Sequence, residues 1–346
     1  MADQADPHEC ELLDTPVVRS LRDAAAWAEH CAARLLHDFG AGTLSNVHEA
    51  LHSVTMSTAF SGIGAPETAR CSLACCFDAK LTRQSGGDST SSSGPKNLWA
   101  CDFDRECRHE LRMLRDPPQC VFSDVEGFLN TSVREQIMSF GSRMQWKTLC
   151  EIFRQPSVVA ASAPCSKHSR QCEVGRADVH VAGTPCPAWS QQRRNGLPCE
   201  MRKDFLHLMI WLAQRRVLQE QAIIHENVEA FPTSLLQEML GDMYSIESCV
   251  VDAAEFGSAA VRRRRWTFLL HKSCVRVHPC SWESWLSSCK RKFESHWEEF
   301  MVASEQDVAD DFQWMSSRRG SRFGEGDAPG CFEADFLLIF NIIVIV

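Results

Sequence analysis

HSVTMSTAFSGIGAP, residues 52–66, is the stretch that decides the fold. From His52 to Phe60 it is short and β-like, and it then meets the glycine loop SGIGAP (61–66). Glycine permits a tight turn and a close approach of the backbone to a ligand. A strand that ends in glycines and feeds a helix is a generic nucleotide-type cradle. Alone, the pattern serves equally well as a structural turn, so the weight falls on the motifs C-terminal to it. Asn97 to Cys101 is a second short apolar stretch and runs into acidic CDFD (101–104). Val121 and Phe122 precede Asp124, and VHVAGTPC (179–186) and AIIHENV (222–228) read as strands ending in polar loops. Asp204 to Gln219 reads as a helix, with Phe205, Leu208, Met209, Leu212 and Val217 on or near one face. Strands alternating with helices predict an α/β fold with a mostly parallel sheet and helices on both faces. Ligands of such sheets sit at the carboxyl ends of the strands, and every polar motif here falls at such an end.

Composition narrows the class. The 346 residues are 44% hydrophobic, enough for a core, and the net charge of −9 argues against coating nucleic acid by bulk charge. A local basic patch remains compatible with that balance. The 18 cysteines, in a chain of this length with an acidic, polar start and no leader-like opening, read as reduced, intracellular thiols. No internal apolar run reaches the roughly 20 residues of a membrane span. The tail FLLIFNIIVIV (336–346) follows a glycine- and acid-rich stretch abruptly and reads first as a truncated or misread gene end, with a buried strand or an aggregation-prone tail as alternatives. Residues 16–39 read as a packing helix, with Thr15 as cap, Pro16 in the first position and Gly40 after the end. SGGDSTSSSGP (85–95) reads as a flexible surface insertion.

The loops carry the chemistry. Asp102 ends the second strand, where an acid can accept both hydroxyls of a ribose, and Asp124 ends the third, where a carboxylate can accept from an exocyclic amine. No Lys-Ser or Lys-Thr follows the glycines, and Glu67 occupies the place of a third glycine, so neither a P-loop nor a pyrophosphate site is indicated. A ligand with adenosine but no pyrophosphate fits better. Gly183-Thr184-Pro185-Cys186 holds a thiol in a rigid turn at a strand end, and a thiolate is a strong nucleophile where a positive field lowers its pKa. Glu226 ends the next strand. Beyond Phe256-Gly257 comes Arg262-Arg263-Arg264-Arg265, where strand alternation sends Arg262 and Arg264 to one side and Arg263 and Arg265 to the other, the second pair able to meet phosphates.

These motifs together resemble the cytosine-C5 DNA methyltransferases. AFSGIGAPETA (59–69) is similar to the family's S-adenosylmethionine motif, GTPCPAWS (183–190) to its nucleophile loop, HENVEAF (225–231) to its Glu-Asn-Val motif and EFGSAAVRRRRWTF (255–268) to its Gln-x-Arg-x-Arg motif. The resemblance implies a Rossmann-like S-adenosylmethionine-dependent methyltransferase fold with a small C-terminal region. It divides the chain into an N-terminal helical extension (1–50), a catalytic domain (51–272) and a short C-terminal region (273–346). Insertions fall at about 83–96, flexible, and about 127–177, cysteine-rich.

The resemblance also assigns roles. Phe60, Ser61, Gly62, Ile63, Gly64, Asp102, Asp124 and Pro185 bind the cofactor or order its neighbourhood, with Phe60 on the adenine, Asp102 on the ribose and Asp124 on the adenine amine. Cys186 attacks C6 of a flipped-out cytosine, Glu226 holds N3 and the amino group, and Arg262 and Arg264 bind the base carbonyl and stabilise the loop. The implied partner is DNA, with RNA carrying the same chemistry as the alternative and a non-catalytic binding protein as the rival class. No membrane and no obligate protein partner is expected. The compartment is the nucleus in a eukaryote and otherwise the cytoplasm.

Departures from the family pattern are Pro187 after the nucleophile, Ala260 in place of the glutamine, and no visible closing Asn-Ser-type motif after residue 270. Recognition would fall to residues 271–346, with Lys290-Arg291-Lys292 and Trp282, Trp285, Trp297 and Trp314, although core packing of these tryptophans is the plainer reading. A second Pro-Cys pair, Pro164-Cys165, lacks the glycine and ranks below Cys186. Cys165, His168 and Cys172 form C-x2-H-x3-C, and Cys274, His278 and Cys280 cluster similarly. Each needs help from elsewhere to make a four-ligand zinc set. Both sets are taken as ordinary thiols, and no metal is expected.

Overall fold

Residues 16–85, 96–140, 146–186, 189, 203–274, 286–287, 289–295 and 306 are described by the computed structural model. In chain order the elements are β1 (Val17–Val18), α1 (Leu21–Ala25), α2 (Trp27–Ser53), β2 (Thr55–Ala59), α3 (Ala65–Ser85), β3 (Lys96–Cys101), α4 (Arg105–Met113), β4 (Cys120–Phe122), α5 (Thr131–Phe140) and α6 (Trp146–Phe153). Then come β5 (Ser162–Cys165), β6 (Arg170–Glu173), β7 (Val179–Gly183), α7 (Lys203–Leu218), β8 (Ala222–Val228), α8 (Ser234–Leu240), β9 (Tyr244–Asp252), β10 (Arg263–His271) and β11 (Lys292–Phe293).

Nine strands form one sheet in the order β6-β5-β4-β3-β2-β7-β8-β10-β9. The five central strands, β4 to β8 across that order, pair in parallel. Both flanks are antiparallel: β5 and β6 on one side, β10 and β9 on the other. The sheet is therefore mixed, and the expectation of a mostly parallel sheet holds for its centre alone. Connection length accounts for two of the four antiparallel pairings. A parallel crossover needs a dozen or more residues, usually a helix, whereas β5 reaches β6 through residues 166–169 and β9 reaches β10 through residues 253–262.

Helices cover both faces, as strand alternation dictates. Val179 and Val181 of β7 and Ala222 and Ile224 of β8 pack with α2 and α3, where Leu35, Leu73 and Phe77 are buried. Ala182 and Ile223 point the other way, to the cluster of Leu208, Trp211 and Leu212 of α7 and Leu236 and Leu240 of α8. A buried imidazole spans this second layer. His180 pairs with Ser57 Oγ through Nδ1 at 2.8 Å and accepts from Trp211 Nε1 at 2.9 Å. Its burial holds its pKa well below the usual histidine value, so it stays neutral.

The expected helix over 16–39 is corrected at its start. Val17–Val18 instead pairs in parallel with Lys292–Phe293, a partner no local pattern reveals. Ser20 then caps α1, its Oγ accepting from Asp23 N–H at 3.2 Å while Asp23 Oδ2 accepts from Arg19 N–H at 3.0 Å, a reciprocal cap. Gly40 interrupts α2 with φ of 80°, as its expected position after a helix end suggests, but helix resumes beyond it. Thr15, residues 86–95 of the expected flexible insertion, Pro187, His278, Cys280, Trp282, Trp285, Trp297, Trp314 and the tail 336–346 lie outside the described residues. Among the described residues, no helix is long and apolar enough to cross a membrane.

Candidate active site at the carboxyl ends of the central strands

β2 ends in a loop of unusual backbone. Phe60 (φ 55°), Gly62 (φ 54°) and Gly64 (φ 86°) all lie in the left-handed region, and at Phe60 this is strained for a side chain of that size. The turn points the Gly62 N–H at the neighbouring strand, where it donates to Asp102 Oδ2 at 2.7 Å. Asp104 N–H donates to the other oxygen, Oδ1, at 2.8 Å. Asp102 is thus fixed beneath the glycine loop. Burial raises its pKa, opposed by these two amide bonds. Ser61 N–H donates to Cys101 O at 3.2 Å, tying the loop to the end of β3. Phe60 is half-buried against the α7 side of the sheet, and Ile63 stands 41% exposed at the loop tip. Asp124 stands two residues beyond β4, and its Oδ1 accepts from Glu126 N–H at 2.9 Å. Glu126 in turn pairs with His207 of α7 at 3.1 Å.

Glu67, one turn into α3, is buried. It accepts from Thr58 Oγ1 at 2.5 Å, and burial pushes its pKa up to about 7. The sequence marks it only as a missing glycine. Its position under the loop follows from helix geometry, which turns the third residue of α3 back towards β2.

The second half of the site forms where β7 and β8 run side by side. Gly183 lies opposite Glu226 in register. A Cβ on Gly183 would sit 3.1 Å from Glu226 Oε2, so the glycine leaves room for the carboxylate. Arg264 of β10 reaches across β8, and its Nε lies 2.9 Å from Glu226 Oε1, both side chains about four-fifths covered. Cys186 shares this environment. Burial raises its thiol pKa first, the Glu226 charge raises it further, and Arg264 and Arg262 oppose that rise. Cys186 therefore feels the charges of Glu226, Arg264 and Arg262. Arg263 instead pairs with Glu229 at 3.0 Å, and Arg265 Nε donates to Glu229 O at 2.9 Å. The alternation splits the run as anticipated, with Glu229 meeting the outward pair.

Three residues that sequence reasoning left without roles hold the cysteine loop. Asn227 Nδ2 donates to Thr184 O at 2.9 Å and to Thr184 Oγ1 at 3.0 Å. His225 Nε2 lies 2.7 Å from Thr184 Oγ1, and burial drops its pKa to about 3, leaving it a neutral brace. Alternation along β8 offers a signal: if Glu226 faces the thiol, its neighbours His225 and Asn227 face the other way, under the loop.

With this geometry in place, the match to a family model becomes decisive. The model for C-5 cytosine-specific DNA methylase matches residues 122–318, more than half of the chain. The chain belongs to the C-5 cytosine-specific DNA methylase family. The match takes in Asp124, Cys186, Glu226 and Arg264, while the glycine loop and Asp102 precede it. No curated protein matches the chain. Among solved structures, this methylase-family chain is similar to a candidate DNA modification methyltransferase encoded within an E. coli prophage, at 16% identity and TM-score 0.35, covering 64% of this chain and 47% of that one. It is also similar to the S. pombe Dnmt2 methyltransferase (11% identity, TM-score 0.36, 67% and 53% covered) and to the Entamoeba histolytica methyltransferase EhMeth (12%, 0.36, 66% and 55%). The chain spans about half the length of these structures.

Proposed function

We propose that the protein transfers a methyl group from S-adenosylmethionine to C5 of cytosine in DNA, through a covalent bond between Cys186 and C6. The observation that carries this reading is the shared environment of Cys186, Glu226 and Arg264 at the ends of β7, β8 and β10.

The donor set suits the proposed cofactor. Asp102 and Asp124 supply carboxylate oxygens, the acceptors that ribose hydroxyls and an adenine amine need, and the glycine loop offers no lysine for phosphate. Half-buried Phe60 supplies an aromatic face for a purine. When bound, S-adenosylmethionine supplies an electrophilic methyl group.

The residues divide the remaining work. Glu226 binds N3 and the exocyclic amine of the flipped base, becoming protonated or sharing a proton. Burial raises the Cys186 thiol most and the Glu226 charge adds to it; protonation of Glu226 removes that second contribution, so substrate binding favours the thiolate. The Cys186 sulfur then forms a bond to C6, and the displaced electron density makes C5 nucleophilic. Methylation of C5 would break the sulfonium–methyl bond and leave a neutral thioether; a base then removes the C5 proton, and the electrons left behind expel the Cys186 sulfur as a thiolate and restore the ring. Arg264 keeps Glu226 aimed at the base. Methyl transfer from labelled cofactor to duplex DNA and to tRNA, run side by side, tests the substrate. The proposal expects cytosine-C5 label in DNA, absent in Cys186→Ser. Label in tRNA alone would overturn the DNA assignment.

A further inference from the structure

Far from the nucleophile, at the β6 edge of the sheet, four metal-binding side chains converge. Cys165 closes β5, His168 sits in the four-residue turn, Cys172 lies on β6, and Cys120 opens β4. Their ligand atoms all lie within 4.8 Å of one another. His168 Nδ1 is 3.5 Å from Cys165 Sγ, 3.3 Å from Cys172 Sγ and 3.6 Å from Cys120 Sγ. One ring nitrogen carries at most one proton, so hydrogen bonding to three sulfurs at once does not explain the arrangement. A coordination polyhedron does. With zinc bonds of about 2.3 Å to sulfur and about 2.05 Å to nitrogen, a tetrahedral angle puts N and S about 3.6 Å apart.

We propose that Cys120, Cys165, His168 and Cys172 form a structural zinc site that staples the β4-β5-β6 edge of the sheet. The sequence shows three of the four ligands as C-x2-H-x3-C. The fourth lies on another strand, which is why spacing alone leaves the set incomplete.

A further observation supports it. The edge needs a staple. β5 and β6 are four residues each, three of the four side chains on β6 are exposed, and β5 meets β4 through the single pair Phe122–Cys165. A two-stranded hairpin with so little burial is marginal in water, and a metal cross-link compensates for the missing core. The four ligands fill the tetrahedron, leaving no open position for substrate, which makes the site structural. Asp124 stands two residues beyond β4, so the staple also steadies the strand that presents it.

The test is metal stoichiometry of the full chain, purified from zinc-supplemented cells without chelator. Relative to wild type, Cys120→Ser, Cys172→Ser and His168→Ala each lose one equivalent of zinc by elemental analysis, whereas His168→Cys keeps it as a four-thiolate site. Cys186→Ser and Cys274→Ser also keep it, separating this cluster from the nucleophile and from the other cysteine group. Cobalt(II) added to metal-stripped wild type produces the absorption bands of tetrahedral thiolate coordination, and Cys172→Ser abolishes them, a reading independent of methyl transfer. Wild type with no bound zinc and no cobalt bands overturns the proposal. So does zinc content unchanged by Cys120→Ser and Cys172→Ser together, or a disulfide within the quartet of the freshly purified protein.

Discussion

Replacing Asn227 with alanine probes how the nucleophile is held. Asn227 is buried, and its amide makes three hydrogen bonds: two to Thr184, at 2.9 and 3.0 Å, and one from Val228 N–H to Oδ1 at 2.9 Å. Thr184 Oγ1 keeps His225 as a partner after the change. The net loss is therefore about 1 kcal/mol for each of two bonds, plus about 1 kcal/mol for a Thr184 carbonyl left buried without its side-chain donor. The sum, about 3 kcal/mol, falls on the turn that carries Cys186 two residues later. At about 1.4 kcal/mol per decade, a cost expressed wholly in misplacing the thiol slows covalent bond formation about a hundredfold. Single-turnover capture on a duplex containing 5-fluorocytosine measures that step. Cofactor affinity, measured by calorimetry, stays within about twofold of wild type, because Asn227 faces the cysteine loop and not the glycine loop. A rate within about threefold of wild type in a folded variant would refute the bracing role, as would an equal loss in cofactor affinity.

Other outcomes rest on the same geometry. Gly183→Ala places a methyl 3.1 Å from Glu226 Oε2, so it displaces the carboxylate from Arg264 and lowers kcat at least tenfold with little change in melting temperature; an unchanged kcat contradicts the packing. Cys186 has a raised thiol pKa, so its alkylation by iodoacetamide speeds up as pH rises; Glu226→Gln shifts that profile to lower pH and Arg264→Met to higher pH, with peptide mass mapping as the check. Glu67 is held at about 7 against an ordinary 4.5, so the native state binds the extra proton. Stability from this group is full below about 4.5 and declines as pH climbs through about 7, by about 3 kcal/mol in all. Glu67→Gln flattens the fall in melting temperature over that window, and an identical slope in the variant would contradict the burial.

How much of the molecule is legible in the sequence depends on where each residue's partner lies. β2, β3, β4, β7 and β8 are readable because each is an apolar run ending in a polar or glycine motif, and their common direction comes from the helices between them. β9 is not. Its burial follows no two-residue alternation and it carries no motif, and its place at the edge is set by pairing with β10. The start of the N-terminal helix is misplaced for a similar reason: Val17–Val18 is claimed by Lys292–Phe293, far along the chain. In the site, Cys186, Glu226 and the split of the arginines come from motif order and strand alternation. The Asn227–Thr184 brace and the fourth cysteine of the β4-β5-β6 edge depend on which strands lie side by side, and that is information the sheet supplies.

The central claim is that the sulfur of Cys186 bonds to a cytosine held by Glu226. Trapping the protein on 5-fluorocytosine DNA in the presence of S-adenosylmethionine, followed by proteolysis and mass spectrometry of the DNA-linked peptide, tests it most directly. The account predicts one modified peptide, with the methylated nucleotide on Cys186. Linkage to another cysteine, or no linkage in folded protein with cofactor bound, would contradict it.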